Sequence, residues 1–128
     1  MINEDYVSFE VAKLLKEKGF DWDCITYYVD YEPNDVKYSM LFENNTTWEK
    51  RCCSAPTHQM AMKWLREEKN IFIVIEPHAY DYVNEKNKSY SCSLWIGDNY
   101  YEYLESKDYP SYEEAVETAC IYSLENLI

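Results

Sequence analysis

The chain predicts an α+β domain: an antiparallel sheet, built as a hairpin plus a three-stranded meander, packed by about three helices in the order α-β-β-α-β-β-β-α. Three observations carry that expectation. Amphipathic stretches with capping residues stand at both ends and in the middle, β-branched and aromatic runs lie between them, and turn residues join those runs as neighbours. With 128 residues, of which 47% are apolar and 17% aromatic, the chain suits one domain spanning residues 1–128. Such a domain buries roughly two thirds of its unfolded surface and needs no metal or disulfide to fold. The tyrosines reconcile a mean hydropathy of −0.59 with a real core, because each buries a ring and leaves its hydroxyl wet.

The first helix starts after Ser8, a capping residue, carries Phe9, Val11, Ala12, Leu14 and Leu15 as its apolar stripe, and ends where Gly19 suits a left-handed C′ position. Phe20 can then fold back on Leu15. Residues Trp22 to Tyr31 and Val36 to Phe42 read as a hairpin, turned by Glu32-Pro33-Asn34-Asp35. Glu43 to Ser54 has no period and reads as a loop.

A second helix is expected from Pro56 or Thr57 to about Lys69, closed by Asn70. Ile71 to Glu76 is so nearly continuous a β-branched and aromatic run that it reads as a central strand covered on both faces, with Pro77 then limiting its pairing or beginning an edge segment. After a polar turn at 84–88, Ser89 to Ile96 forms the next strand. Gly97-Asp98 then turns the chain into a last strand at about Asn99 to Leu104. Tyr101 and Tyr103 would share one of its faces. Ser111-Tyr112-Glu113-Glu114 matches a capping box and opens the final helix. The helix strings Ala12 to Lys18 and Ala61 to Glu68 are similar, a weak internal echo.

Twenty-four acids against twelve Lys and Arg give a net charge of −12. Residues 1–35 carry nine acids and three lysines (−6), 36–88 seven acids and eight cations (+1), and 89–128 eight acids and one lysine (−7). Such a surface repels nucleic-acid phosphates, so direct nucleic-acid binding is not expected; it attracts a basic protein instead. The plainer account is that the charge only keeps the chain in solution. No basic and apolar leader opens the sequence, no apolar run reaches the ~18 residues of a membrane helix, and five scattered cysteines suit a reducing compartment. A cytoplasmic protein with no membrane partner is expected.

Familiar catalytic motifs are missing. The two glycines are used by a helix end and a turn, so no phosphate-cradling loop exists, and neither a Gly-x-Ser-x-Gly elbow nor a His-Glu-x-x-His helix occurs. His58 and His78 are the two imidazoles. Cys52 and Cys53 lie near His58 at a helix start, which could lower a thiol pKa, yet their spacing fills no zinc shell. Carboxylate pairs such as Asp21 with Asp23 carry little information in so acidic a chain. No cofactor and no metal site is expected. A concave site in which His58 or a cysteine meets a buried proton acceptor or a coordinated ion would overturn the expectation of a molecule that acts through its exterior and breaks no bonds.

The candidate binding residues are Trp48, Lys50 and Arg51 in the irregular loop, with Thr57, His58 and Gln59 at the start of the second helix. Trp and Arg anchor interfaces, and helix-start amides receive anions. A small nucleotide-like ligand stacked on Trp48 with its phosphate at that helix end is one reading. The other is a Trp folded down over the sheet beside a solvated Lys and Arg.

The stretches Tyr6 to Asp21 and Ala55 to Glu67, with Tyr112-Glu113-Glu114-Ala115, resemble an uncharacterised family of short acidic proteins from gut Bacteroidales genomes and their phages. The resemblance covers most of the chain and implies no catalytic or binding residue. It implies a phage or mobile-element setting, where small acidic proteins often bind host factors. The leading expectation is a non-enzymatic acidic protein that binds a basic surface of a host protein. A small-molecule binder or sequestering protein, and an enzyme without recognised motif, are the alternatives.

Overall fold

The computed structural model describes residues 5–79, 88–101 and 108–128. Its elements run α1 (Phe9–Glu17), β1 (Cys24–Val29), β2 (Glu32–Glu43), β3 (Cys52–Ser54), α2 (His58–Lys69), β4 (Ile71–Ala79), β5 (Lys88–Ile96), β6 (Asn99–Tyr101) and α3 (Tyr112–Asn126). The α+β class holds, with two antiparallel three-stranded sheets in place of one, ordered β2-β1-β3 and β4-β5-β6. The central strand is the first of its sheet in one case and the second in the other, so the likeness of α1 and α2 does not extend to a repeated unit.

The helix ends follow local chemistry. Ser8 Oγ accepts from Val11 N at 3.2 Å, Thr57 Oγ1 from Met60 N at 3.2 Å and Ser111 Oγ from Glu114 N at 3.1 Å. Each bond satisfies an amide that the first helical turn cannot. At the end of α1, Phe20 N donates to Leu15 O and Gly19 N to Lys16 O, with Gly19 at φ 95°. This is the two-bond Schellman closure, and it needs a residue tolerant of positive φ. Asn70 closes α2 at φ 57°.

Three expectations are corrected. The hairpin turn falls at Asp30-Tyr31, because Val29 pairs with Glu32. Pro33, Asn34 and Asp35 sit inside β2, where Tyr27↔Lys37 and Val29↔Glu32 leave one β1 residue opposite four of β2. A strand at the sheet edge can carry proline and an excursion of this kind because its outer amides have no ladder to serve. The second half of the supposed loop, Cys52–Ser54, forms β3 on the other side of β1; three residues are too few to show a period. Finally, β4 is an edge strand and β5 the central one. Along β4, Ile71 is buried, Ile73 and Ile75 on the same face are half-buried, and the other face has Phe72 half-buried but Val74 and Glu76 exposed, so the continuous apolar run overstated the cover on that second face. The turn expected at 84–88, apart from Lys88 at the start of β5, and the end of the last strand with Tyr103 and Leu104 lie outside the described residues, as does the side chain of His78.

The main core joins the first sheet to the helices: Val11, Leu15, Phe20, Tyr28, Leu65 and Leu124 are all buried in one cluster. Helix α3 is its organiser, packing against α1, α2, β4 and β5. A smaller cluster of Cys92, Leu94 and Ala119 fills the space between α3 and the second sheet. The segment before α1 runs alongside the start of α2, with Val7 N donating to Pro56 O and His58 N to Asp5 O, both at 3.0 Å.

Candidate functional site

Three surfaces of the described residues combine unusual chemistry with access. The first is on β2. Between the pairs Thr26↔Tyr38 and Cys24↔Glu43, β1 supplies only Ile25 while β2 supplies Ser39, Met40, Leu41 and Phe42. The extra residues leave the ladder. Ser39 Oγ donates to Glu43 Oε2 at 3.3 Å and accepts from Leu41 N at 3.2 Å, which pins the excursion from within. Its three apolar side chains face solvent: Met40 is 99% exposed, Leu41 72% and Phe42 71%. Tyr38 and Tyr31 on the same ribbon are each 65% exposed. Acids flank the base of the bulge, where Glu43 ends the strand and Asp23 Oδ1 accepts from Asn44 Nδ2 at 3.0 Å. Sequence reasoning took this stretch as plain strand. The signal it passed over is Met40-Leu41-Phe42 itself, since three consecutive apolar residues cannot all face one covered side of a pleated strand.

The second surface holds Trp48, Lys50 and Arg51. Trp48 is folded down over β1: its ring lies 4.6 Å from that of Tyr27 at 32°, and its Nε1 donates to Ser54 Oγ at 2.7 Å. With Tyr27, Tyr31, Lys37 and Arg51 it walls a groove of about 480 Å³. Lys50 and Arg51 are exposed and also line a neighbouring groove of about 410 Å³ against α1.

The third surface holds the other half of the expected site. Thr57 is the cap of α2, and Gln59 is exposed with Nε2 donating to Tyr112 Oη at 3.3 Å. His58 is 6% exposed, and its Nε2 lies 2.8 Å from Glu117 Oε1. A groove of about 540 Å³, lined by Asp5, Tyr6, His58, Tyr109 and Glu117 among others, runs past the pair. Two of the α2 start amides are taken, His58 N by Asp5 O and Met60 N by Thr57 Oγ1. With the Glu117 carboxylate alongside, this helix end is a poor seat for a phosphate. Trp48, Lys50 and Arg51 thus line grooves apart from the one His58 lines.

The meeting of His58 with a carboxylate beside a groove is the arrangement that would argue for acid–base chemistry, so its connectivity matters. Ser8 N and Ser8 Oγ also donate to Glu117, at 2.7 and 2.9 Å. The order is serine, carboxylate, imidazole, with the carboxylate in the middle. Activation of a hydroxyl nucleophile requires the imidazole there, taking the proton while the carboxylate orients it from behind. Here the carboxylate is filled with donors and links the cap of α1, the first residue of α2 and the middle of α3. That order gives Ser8 no imidazole to activate it, and it knots α1, α2 and α3 together.

All five cysteines are free and buried. Cys52 and Cys53 pack as buried groups, and burial pushes the Cys53 thiol up to about 11 and raises Cys52 as well. Burial likewise pushes Cys24 and Cys92 up to about 11. Among the described residues no group of three or more His, Cys, Asp or Glu is placed to hold a metal ion. Thiols that hold their protons more tightly when folded stabilise the fold below their unfolded pKa, and that contribution is lost as pH rises through the folded value. Stability to urea should therefore fall between about pH 9 and 11, and thiol-specific reagents at pH 8 should label the native chain only through its unfolded population. Rapid labelling of Cys52 or Cys53 under native conditions would contradict this.

No family model matches the chain, and no curated protein or solved structure is significantly similar to it. No described helix is long and apolar enough to cross a membrane.

Proposed function

We propose that this chain is a non-enzymatic, cytoplasmic binding protein whose β2 ribbon docks into an apolar cleft rimmed by basic side chains on another protein. The observation that carries this reading is the pinned Ser39–Phe42 bulge, with Met40 99% exposed in a molecule of net charge −12. Large apolar side chains held out in water by a bonded scaffold cost free energy unless a partner covers them, and contiguous exposed apolar surface marks interaction sites. The charge complements the bulge. Acids at its base disfavour nucleic acid and anionic membrane as the covering surface and favour a basic protein, which long-range attraction brings in faster. The resemblance to short acidic proteins of phages and gut bacteria suits a mobile-element accessory acting on a host factor, and five free thiols suit a reducing interior.

The test is retention of host proteins on the immobilised chain across a salt series. A basic protein retained at low ionic strength and released as salt rises is the expected result. Retention of acidic or nucleic-acid partners, or none, counts against the proposal.

A further inference from the structure

A second surface of different chemistry lies between α1 and the 50–53 segment. Its groove of about 410 Å³ is lined by four cations, Lys13, Lys16, Lys50 and Arg51, against two acids, Glu17 and Asp30. The lining therefore carries 4 − 2 = +2, in a protein whose total is −12. Among the described residues the ion pairs involve Lys37 and His58, so these four cations, like Lys63, Arg66 and Lys69, carry no carboxylate partner; what sets the four apart is that they line one groove.

The groove is also held in shape. Lys16 Nζ donates to Lys50 O at 3.0 Å and to Cys52 O at 2.7 Å, which ties α1 to the loop and leaves one ammonium N–H uncommitted. Lys13 stands one helical turn before Lys16 on the same side of α1. Asp30 N donates to Arg51 O at 2.9 Å, fixing the backbone that carries the guanidinium. Phe9, Cys52 and Cys53 supply the apolar part of the wall. The two thiols, raised by burial, add no negative charge there.

We propose that this groove binds a small phosphate monoester dianion bearing a flat apolar substituent. Arg51 and Lys13 would grip the phosphate, Lys16 would complete its shell from the loop side, and Phe9 would carry the substituent. The pocket charge of +2 matches a dianion. A guanidinium fork fits phosphate oxygens in pairs, and ammonium groups add point charge from the sides. The groove has the volume of a single small ligand, and the acidic exterior excludes a polyanion such as RNA. This site is independent of the β2 ribbon and stands or falls separately from it.

The test is a titration of the ¹⁵N-labelled full chain with phenyl phosphate, inorganic phosphate, phenyl sulfate and a glutamate-rich peptide. Phenyl phosphate should move the amide signals of Lys13, Lys50, Arg51 and Cys52 and bind more tightly than the other three. The double variant Lys13→Gln/Arg51→Gln, both exposed positions, should weaken phenyl phosphate by about tenfold or more while leaving the melting temperature unchanged. The proposal is overturned if phenyl phosphate leaves those signals in place, if the double variant binds it as well as the parent, or if the acidic peptide binds better.

Discussion

Replacing Glu117 by alanine should lower the stability of the chain by about 3 kcal/mol, the range seen when a part-buried charged acceptor is removed from several part-buried donors at once. Three bonds are lost together: from Ser8 N at 2.7 Å, from Ser8 Oγ at 2.9 Å and from His58 Nε2 at 2.8 Å. The carboxylate side chain is 20% exposed and the imidazole 7%, so solvent replaces those partners poorly. Glu117→Gln keeps one acceptor oxygen and should cost distinctly less. Urea denaturation monitored by tryptophan fluorescence reads both values. A Glu117→Ala protein as stable as its parent would show that the knot contributes nothing, and would reopen the question of what a carboxylate and an imidazole are doing beside a groove.

The second large effect belongs to the β2 ribbon. The double substitution Met40→Asp/Phe42→Asp should leave the melting temperature within a degree or two, because both side chains are exposed and outside the core. The same change should weaken the partner complex by about a thousandfold, since two central hot-spot anchors at about 2 kcal/mol apiece sum to about 4 kcal/mol. Stability and binding are thus expected to separate at these positions. If the variant binds as the parent does, the bulge is not the docking element.

Much of the scaffold is written locally. Ser8, Thr57 and Ser111 sit directly before the helices they cap, and Gly19 and Asn70 take the left-handed conformations that end α1 and α2. Each acts within a few residues, so its effect can be read from spacing alone. The strand pairing is different. Cys52–Ser54 joins β1 through backbone bonds that any three residues could make, and β4 looked central because apolar content reports the possibility of burial without naming the neighbour. Glu117 was invisible for the same reason: its partners lie 109 and 59 residues away, and nothing in Ala-Val-Glu-Thr announces them. The candidate residues were individually sensible. Trp48 has the ring contact and the N–H partner a tryptophan needs when it covers a sheet, Thr57 caps, and His58 pairs. What the spacing of 48 to 59 could not reveal is that β3 intervenes, leaving Trp48 with Arg51 in one groove and His58 in another.

The bulge was legible in part. Three apolar residues in a row, at the end of an edge strand and followed by an acid, conflict with the alternation that a half-covered strand requires. Local conflict of that kind tends to fall at functional positions, where the sequence serves something other than the fold.

The central claim is a division of labour: a negative exterior that draws the partner in, and an apolar ribbon that holds it. Stopped-flow association kinetics with the captured partner, measured from low to high salt for the parent and for Met40→Asp/Phe42→Asp, tests this most directly. The account predicts that salt slows association steeply with little effect on dissociation, while the double substitution accelerates dissociation. Association indifferent to salt, together with dissociation indifferent to the substitution, would contradict it.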